Sequence, residues 1–142
     1  MYSKTFQPKE AQIERKWYRM DATDQVLGRF AVKIARILQG KQKPIYAGQA
    51  DVGDFVVVTN AKKIMVTGKK LLLKTYFRHS GYPGGDTTET LGALMSRKPE
   101  EVIIHAVKGM LPKNKLRAKC LKRLKVFAGA EHSHGAQQPE TI

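Results

Sequence analysis

The chain has 142 residues, with 26 lysines and arginines against 12 aspartates and glutamates, a formal charge of +14. A hydrophobic share of 42% means a folded basic protein rather than a basic tail, and so strong a field calls for a polyanionic partner, nucleic acid first. One cysteine, Cys120, excludes an internal disulfide and fits a reducing compartment.

No apolar run reaches transmembrane length, and no helix joins a basic face to Trp or Phe densely enough for a membrane surface. The start, MYSKTFQPKEAQIERKW, has no signal-peptide core, and Glu10 and Glu14 speak against a transit peptide. The expectation is one domain acting in the cytoplasm, with surface extensions at residues 1–16 and 130–142.

In chain order, residues 17–22 read as a first strand. Thr23 or Asp24 can cap a helix over residues 25–39. Its apolar stripe is Val26, Leu27, Phe30, Ala31, Ile34, Ala35, Ile37 and Leu38, with Arg29, Lys33 and Arg36 outside. Gly40 stands in the C′ position. A basic loop with Lys41 and Lys43 follows, then Asp51 and Asp54 lead into Phe55-Val56-Val57-Val58, the pattern of a parallel strand buried on both faces. Asn60 can cap a short turn over residues 61–64, residues 65–67 suit a further strand, and Gly68-Lys69-Lys70 is a basic turn. Residues 74–78 are extended and run into HSGYPGG, whose glycines let backbone approach a ligand. Residues 87–96 read as a weakly amphipathic helix. Pro99 opens another, with Glu100 and Glu101 in its first turn and Val102, Ile103, Ala106, Val107 and Met110 as its buried stripe.

The segment from Val107 to Gly129 carries Lys108, Lys113, Lys115, Arg117, Lys119, Lys122, Arg123 and Lys125 with no acid inside it. At about 100° per residue, Leu116, Cys120, Leu121 and Leu124 share one arc of a helix, and Lys115, Lys119, Lys122 and Arg123 the opposite arc. One arc wants a core and the other wants phosphates. A short strand or extended segment, residues 125–129, leads out, and the polar tail from Glu131 is expected to lie over a surface. Strands alternating with helices argue for a three-layer α/β domain.

Enzymatic chemistry finds little support. The first strand-helix turn, Asp24-Gln25-Val26-Leu27-Gly28, lacks the dinucleotide glycines, and around Gly68-Lys69 the P-loop positions hold Lys63 and Lys70. His132 and His134 are two metal ligands at most, and a site would need His105 and Cys120 to converge on them. His79 and Ser80 are adjacent, with no orienting acid. Asp51 and Asp54 read as loop residues before a strand. No catalytic residue, metal, cofactor or small-molecule substrate is expected.

The nucleic-acid signal is broader. It combines the basic helix, the turn from Lys108 to Asn114, the loops at Lys41/Lys43 and Lys69/Lys70, and Arg78 to Gly85 with Tyr82 as a stacking surface. Lysine and arginine supply affinity through phosphates, and a glycine-rich loop with an aromatic suits folded RNA. No helix-turn-helix or zinc module favours DNA.

Several segments together resemble one family. They are DFVVV at 54–58, TGKK at 67–70, RHSGYPGG at 78–85 and VKGMLPKN at 107–114. Glu14 to Tyr18, Asp21-Ala22-Thr23 with Leu27-Gly28-Arg29, and Ala128-Gly129 with Glu131-His132 and Gln137-Gln138-Pro139 join them. The chain resembles, over nearly its whole length, the L-thirteen family of large-subunit ribosomal proteins, bacterial type. The resemblance implies a three-layer α/β/α fold with a small, mostly parallel central sheet, binding to large-subunit rRNA, a role early in subunit assembly, neighbouring ribosomal proteins as partners, and no catalysis. The RNA contacts expected are Lys41, Lys43, Lys69, Lys70, Lys74, Arg78, His79, Tyr82, Lys108, Lys113, Lys115, Arg117, Lys119, Lys122, Arg123 and Lys125. The chain departs from the family where Arg117 replaces a glycine after Lys115-Leu116, and where Ala130 and Ser133 stand in place of common prolines. By the helical count Arg117 falls on the apolar arc, so either the regular helix begins nearer Ala118 or Arg117 reaches out to phosphate. The competing readings are a nucleotide- or RNA-processing enzyme on a doubly wound domain, and a regulatory nucleic-acid binder outside the ribosome.

Overall fold

The computed structural model describes residues 6–142; the part of the N-terminal extension at 1–5 lies outside them. The strands are β1 (Trp17–Asp21), β2 (Phe55–Thr59), β3 (Thr75–His79), β4 (Asp86–Thr90), β5 (Leu124–Val126) and β6 (Glu140–Thr141). The helices are α1 (Leu27–Gln39), α2 (Lys70–Leu73), α3 (Leu91–Arg97), α4 (Pro99–Met110) and α5 (Leu116–Lys122). The main sheet runs β5-β2-β1-β6, parallel throughout, and is flanked by helices. This is the α/β class that the alternating pattern implies, with the mostly parallel sheet that the family resemblance implies.

Because side chains alternate across a pleated strand, β2 serves both faces. Val56 and Val58, with Met20 and Leu124, join the core formed by Phe30, Ile34 and Leu38 of α1 and Val102, Ile103 and Val107 of α4. Val57, also fully buried, faces the other way. On that side Trp17 stacks on Phe55, their ring centroids 4.3 Å apart and 4° from coplanar. His134 from the tail packs 5.2 Å from Trp17 and 5.8 Å from Phe127. Burying each such valine contributes about 1.5–3 kcal/mol, which explains why this short strand organises the domain.

Four local expectations are corrected. Residues 87–90 are not helical: Thr87, Thr88 and Thr90 are β-branched and pair antiparallel with Arg78, Phe77 and Thr75. Thr90 then caps α3 by accepting from the Ala93 amide at 3.3 Å, so the helix starts only at Leu91. Thr23 and Asp24 do not cap α1. The Thr23 hydroxyl donates to Asp21 at 2.7 Å, Asp24 adopts φ 56°, and the cap position falls to Val26 without a side-chain acceptor. Residues 65–67 form no strand beyond the single bridge of Met65 to Val26. The tail does more than lie on a surface: residues 140–141 add a parallel edge strand beside Tyr18 and Arg19. Edge strands of polar residues leave no hydrophobic alternation to read.

Candidate nucleic-acid interface

The basic residues divide by what their charges meet. Arg123 caps α5 and is buried, 6% exposed. It donates to both Asp51 carboxylate oxygens at 2.5 and 2.6 Å and to the Leu38 carbonyl at 3.2 Å. Its expected place on the open basic arc is therefore corrected. The helix ends at Lys122 and the chain turns into β5, so the helical count does not extend to Arg123, and its partner lies far away in sequence. Arg15 adds a second cation 3.8 Å from Asp51. Partial burial pushes the Asp51 carboxyl up, but the Arg123 hydrogen bonds and the Arg123 and Arg15 charges outweigh it, leaving it below the usual carboxylate range.

Lys43 is corrected in the same sense. Its ammonium donates to the fully buried Asp54 at 2.5 Å and to the carbonyls of Glu14 and Val52. Asp54 also accepts from the Lys16 amide at 3.0 Å and the Gln42 side-chain amide at 2.8 Å. Asp51 and Asp54 do precede a strand, yet they are the anchors that seat the loop after α1, the N-terminal extension and α5 on one end of the sheet.

The β3-β4 hairpin stands apart from the main sheet. Its loop from Ser80 to Gly85 is closed by the Ser80 amide donating to the Gly85 carbonyl at 3.0 Å and by Gly81 donating to His79 Nδ1 at 2.9 Å. A Cβ on Gly85 would come within 2.0 Å of the Ser80 hydroxyl oxygen and 2.9 Å of the Tyr82 carbonyl oxygen, so a larger residue there would have to turn the serine away. Phe77 is 69% and Tyr82 76% exposed, with Arg78 and His79 also open to solvent. The root of the hairpin is held by Tyr76, whose ring lies 5.2 Å from that of His105, and by the Arg97–Glu89 ion pair at 2.7 Å. An isolated two-stranded hairpin is marginal in water, and this one projects aromatics that its own core does not use.

Lys41, Lys69, Lys70, Lys74, Lys108, Lys113, Lys115, Lys119 and Lys122 are exposed, and Arg117 and Lys125 half-buried. Among the described residues the ion pairs are formed by Arg15, Lys43, Arg97, Lys98 and Arg123, so none of these eleven cations meets a carboxylate. Lys70 and Lys74 share a cleft with His105, Gly109 and Met110 of α4. Arg117 sits in a crevice with Tyr46 to Gly48, Pro112 and Asn114. The helix starts at Leu116, not nearer Ala118, so Arg117 lies in its first turn, where Asn114 accepts from its amide at 3.1 Å. Lys119 lies by Arg15 and the extension. Cys120 is buried beside Arg123, and burial pushes its thiol up.

A family model described as Ribosomal protein L13 matches residues 15–133. The chain is 56% identical over 140 residues to the large ribosomal subunit protein uL13 of Cyanothece sp., covering 99% of this chain and 94% of that one. It is 56% identical over 134 residues to that of Geobacter sulfurreducens, covering 94% of each. With that of Clostridioides difficile the identity is 54% over 139 residues, covering 98% and 97%.

The chain belongs to the ribosomal protein L13 family.

Membership of the L13 family makes it a ribosomal protein, not an enzyme. Seen so, the histidines weighed as metal ligands have other work: His132 and His134 pack on Phe127 and Trp17. Among the described residues no helix is long and apolar enough to cross a membrane. Sequence reasoning left Lys33 and Arg36 out of the site, although they line a crevice with Lys41. Their exposed position on α1 was the available signal.

Proposed function

We propose that this L13-family chain is a structural constituent of the large ribosomal subunit in the cytoplasm, binds large-subunit rRNA, helps early subunit assembly and contacts neighbouring ribosomal proteins. One observation carries the reading: the exposed cations of the Lys69–Lys74 segment, the α4–α5 turn and α5 have no carboxylate partner, while Arg15, Lys43 and Arg123 are turned inward onto Asp51 and Asp54. Charges left unpaired on a folded surface await an external polyanion. The protruding hairpin, with Arg78, His79 and Tyr82, adds a surface for unstacked bases. Names of the uL13 relatives support the particle.

The test is binding of the purified protein to protein-free large-subunit rRNA, against a DNA duplex of equal charge, across a range of salt. Saturable RNA binding that persists while DNA binding collapses supports the reading; equal collapse on both defeats it. Lys119→Gln and Lys122→Gln each lower the log-log salt slope by about 0.7–0.9 if they meet phosphates.

A further inference from the structure

The start of α1, the segment Val66–Lys74 and the outer face of α4 enclose a cleft of about 350 Å³. Val66, Ala106 and Met110 give it apolar walls, and Lys70 and Lys74 stand among its lining. No carboxylate lines it. Val26, in the cap position of α1, brings no side-chain acceptor, and the Leu27 amide donates instead to the Met65 carbonyl at 2.9 Å. His105, on the α4 wall, is held in orientation by the Tyr76 ring. The volume falls in the range of small-molecule sites, enough for one nucleobase with its sugar. An apolar interior beside cations without counter-charge matches a group that is flat and weakly polar at one end and anionic at the other.

We propose that this cleft receives a single unstacked nucleotide of an RNA strand, its base between Val66, Ala106 and Met110 and its phosphates at Lys70 and Lys74. The proposal rests on the RNA-binding reading and adds to it a site that reads a base, where the open lysines elsewhere read only charge. Nearby Lys69 and Lys108 are exposed, so a strand leaving the cleft continues along cations.

The glycines in the lining provide the test. A Cβ added at Gly28 or at Gly109 meets nothing within 4 Å, so Gly28→Leu and Gly109→Leu start from an unhindered Cβ on the cleft lining. Both are measured in the full chain by filter binding to protein-free large-subunit rRNA over a range of salt, with a thermal melt showing that each variant is folded. The expected result is an affinity loss of about tenfold at unchanged salt slope, the signature of a lost stacking contact, while Lys70→Gln and Lys74→Gln lower the slope. Affinity within twofold of the parent for both folded leucine variants overturns the proposal, as does a loss seen only as a reduced slope. Equilibrium dialysis with the four nucleoside 5′-monophosphates separates sources: micromolar binding of one of them assigns the cleft to a free nucleotide and overturns the RNA-strand reading. If the leucine variants bind normally while Lys119→Gln and Lys122→Gln still lower the slope, the nucleotide site fails and rRNA binding stands.

Discussion

Replacing Arg123 by Gln separates a structural cation from an RNA contact. Arg123 places two charge-assisted hydrogen bonds on Asp51 and one on Leu38 O, with side chains only 7% and 16% exposed for the ion pair. Removing one member of a buried pair costs about 3–5 kcal/mol. Arg15, 3.8 Å from Asp51, keeps part of the compensation, so the expected loss lies near the lower bound, about 3 kcal/mol. With a urea dependence of about 1–3 kcal/mol per molar, the midpoint falls by about 1–3 M. Asp51 adds a pH signature. Its folded-state pKa lies below the ordinary value, so its contribution is complete above the unfolded pKa of about 3.9 and is lost as pH falls through the lower folded value. The parent therefore loses this contribution in acid, and Arg123→Gln, already lacking the pair, loses less. Adding Asp51→Asn to Arg123→Gln closes a double-mutant cycle whose coupling isolates the pair. The rRNA salt slope stays unchanged. A loss below about 1 kcal/mol, or a slope lowered by a full phosphate contact, would refute the assignment.

Gly53→Ala brings a Cβ within 1.8 Å of the Leu38 carbonyl oxygen; overpacking of this kind costs about 1–3 kcal/mol, and a urea melt matching the parent would show that the α1 end yields freely. Tyr82→Ala, at a side chain 76% exposed, leaves stability within about 0.5 kcal/mol, yet weakens rRNA binding by about tenfold if the ring stacks on a base; unchanged affinity removes Tyr82 from the interface. Cys120, buried with its thiol pushed up, reacts slowly with a thiol reagent in the native protein and rapidly in denaturant; equal rates would place it at the surface.

Much of the frame was legible from local pattern alone. The run Phe55–Val58 announced a strand buried on both faces, the stripe of α1 announced its packing face, Gly40 ended that helix in the left-handed conformation, and Pro99 opened α4. Each of these is settled by a residue and its near neighbours, because periodicity and backbone preference act within a few positions. The excess of positive charge was equally plain.

What composition and spacing could not divide was which cations are spent inside the molecule. Arg123 and Lys122 are adjacent and chemically alike, yet one is buried on Asp51 and the other exposed. The difference is made by an aspartate 72 positions away that folding brings within hydrogen-bonding distance. The same holds for Lys43 with Asp54, for the threonines of β4 that turned from helix to strand once β3 lay alongside, and for the tail that became an edge strand of the sheet. Local sequence determined the elements and the sign of the field; tertiary contact decided which charges remain for a partner, because pairing energy depends on distance in space and on burial, neither of which is written along the chain.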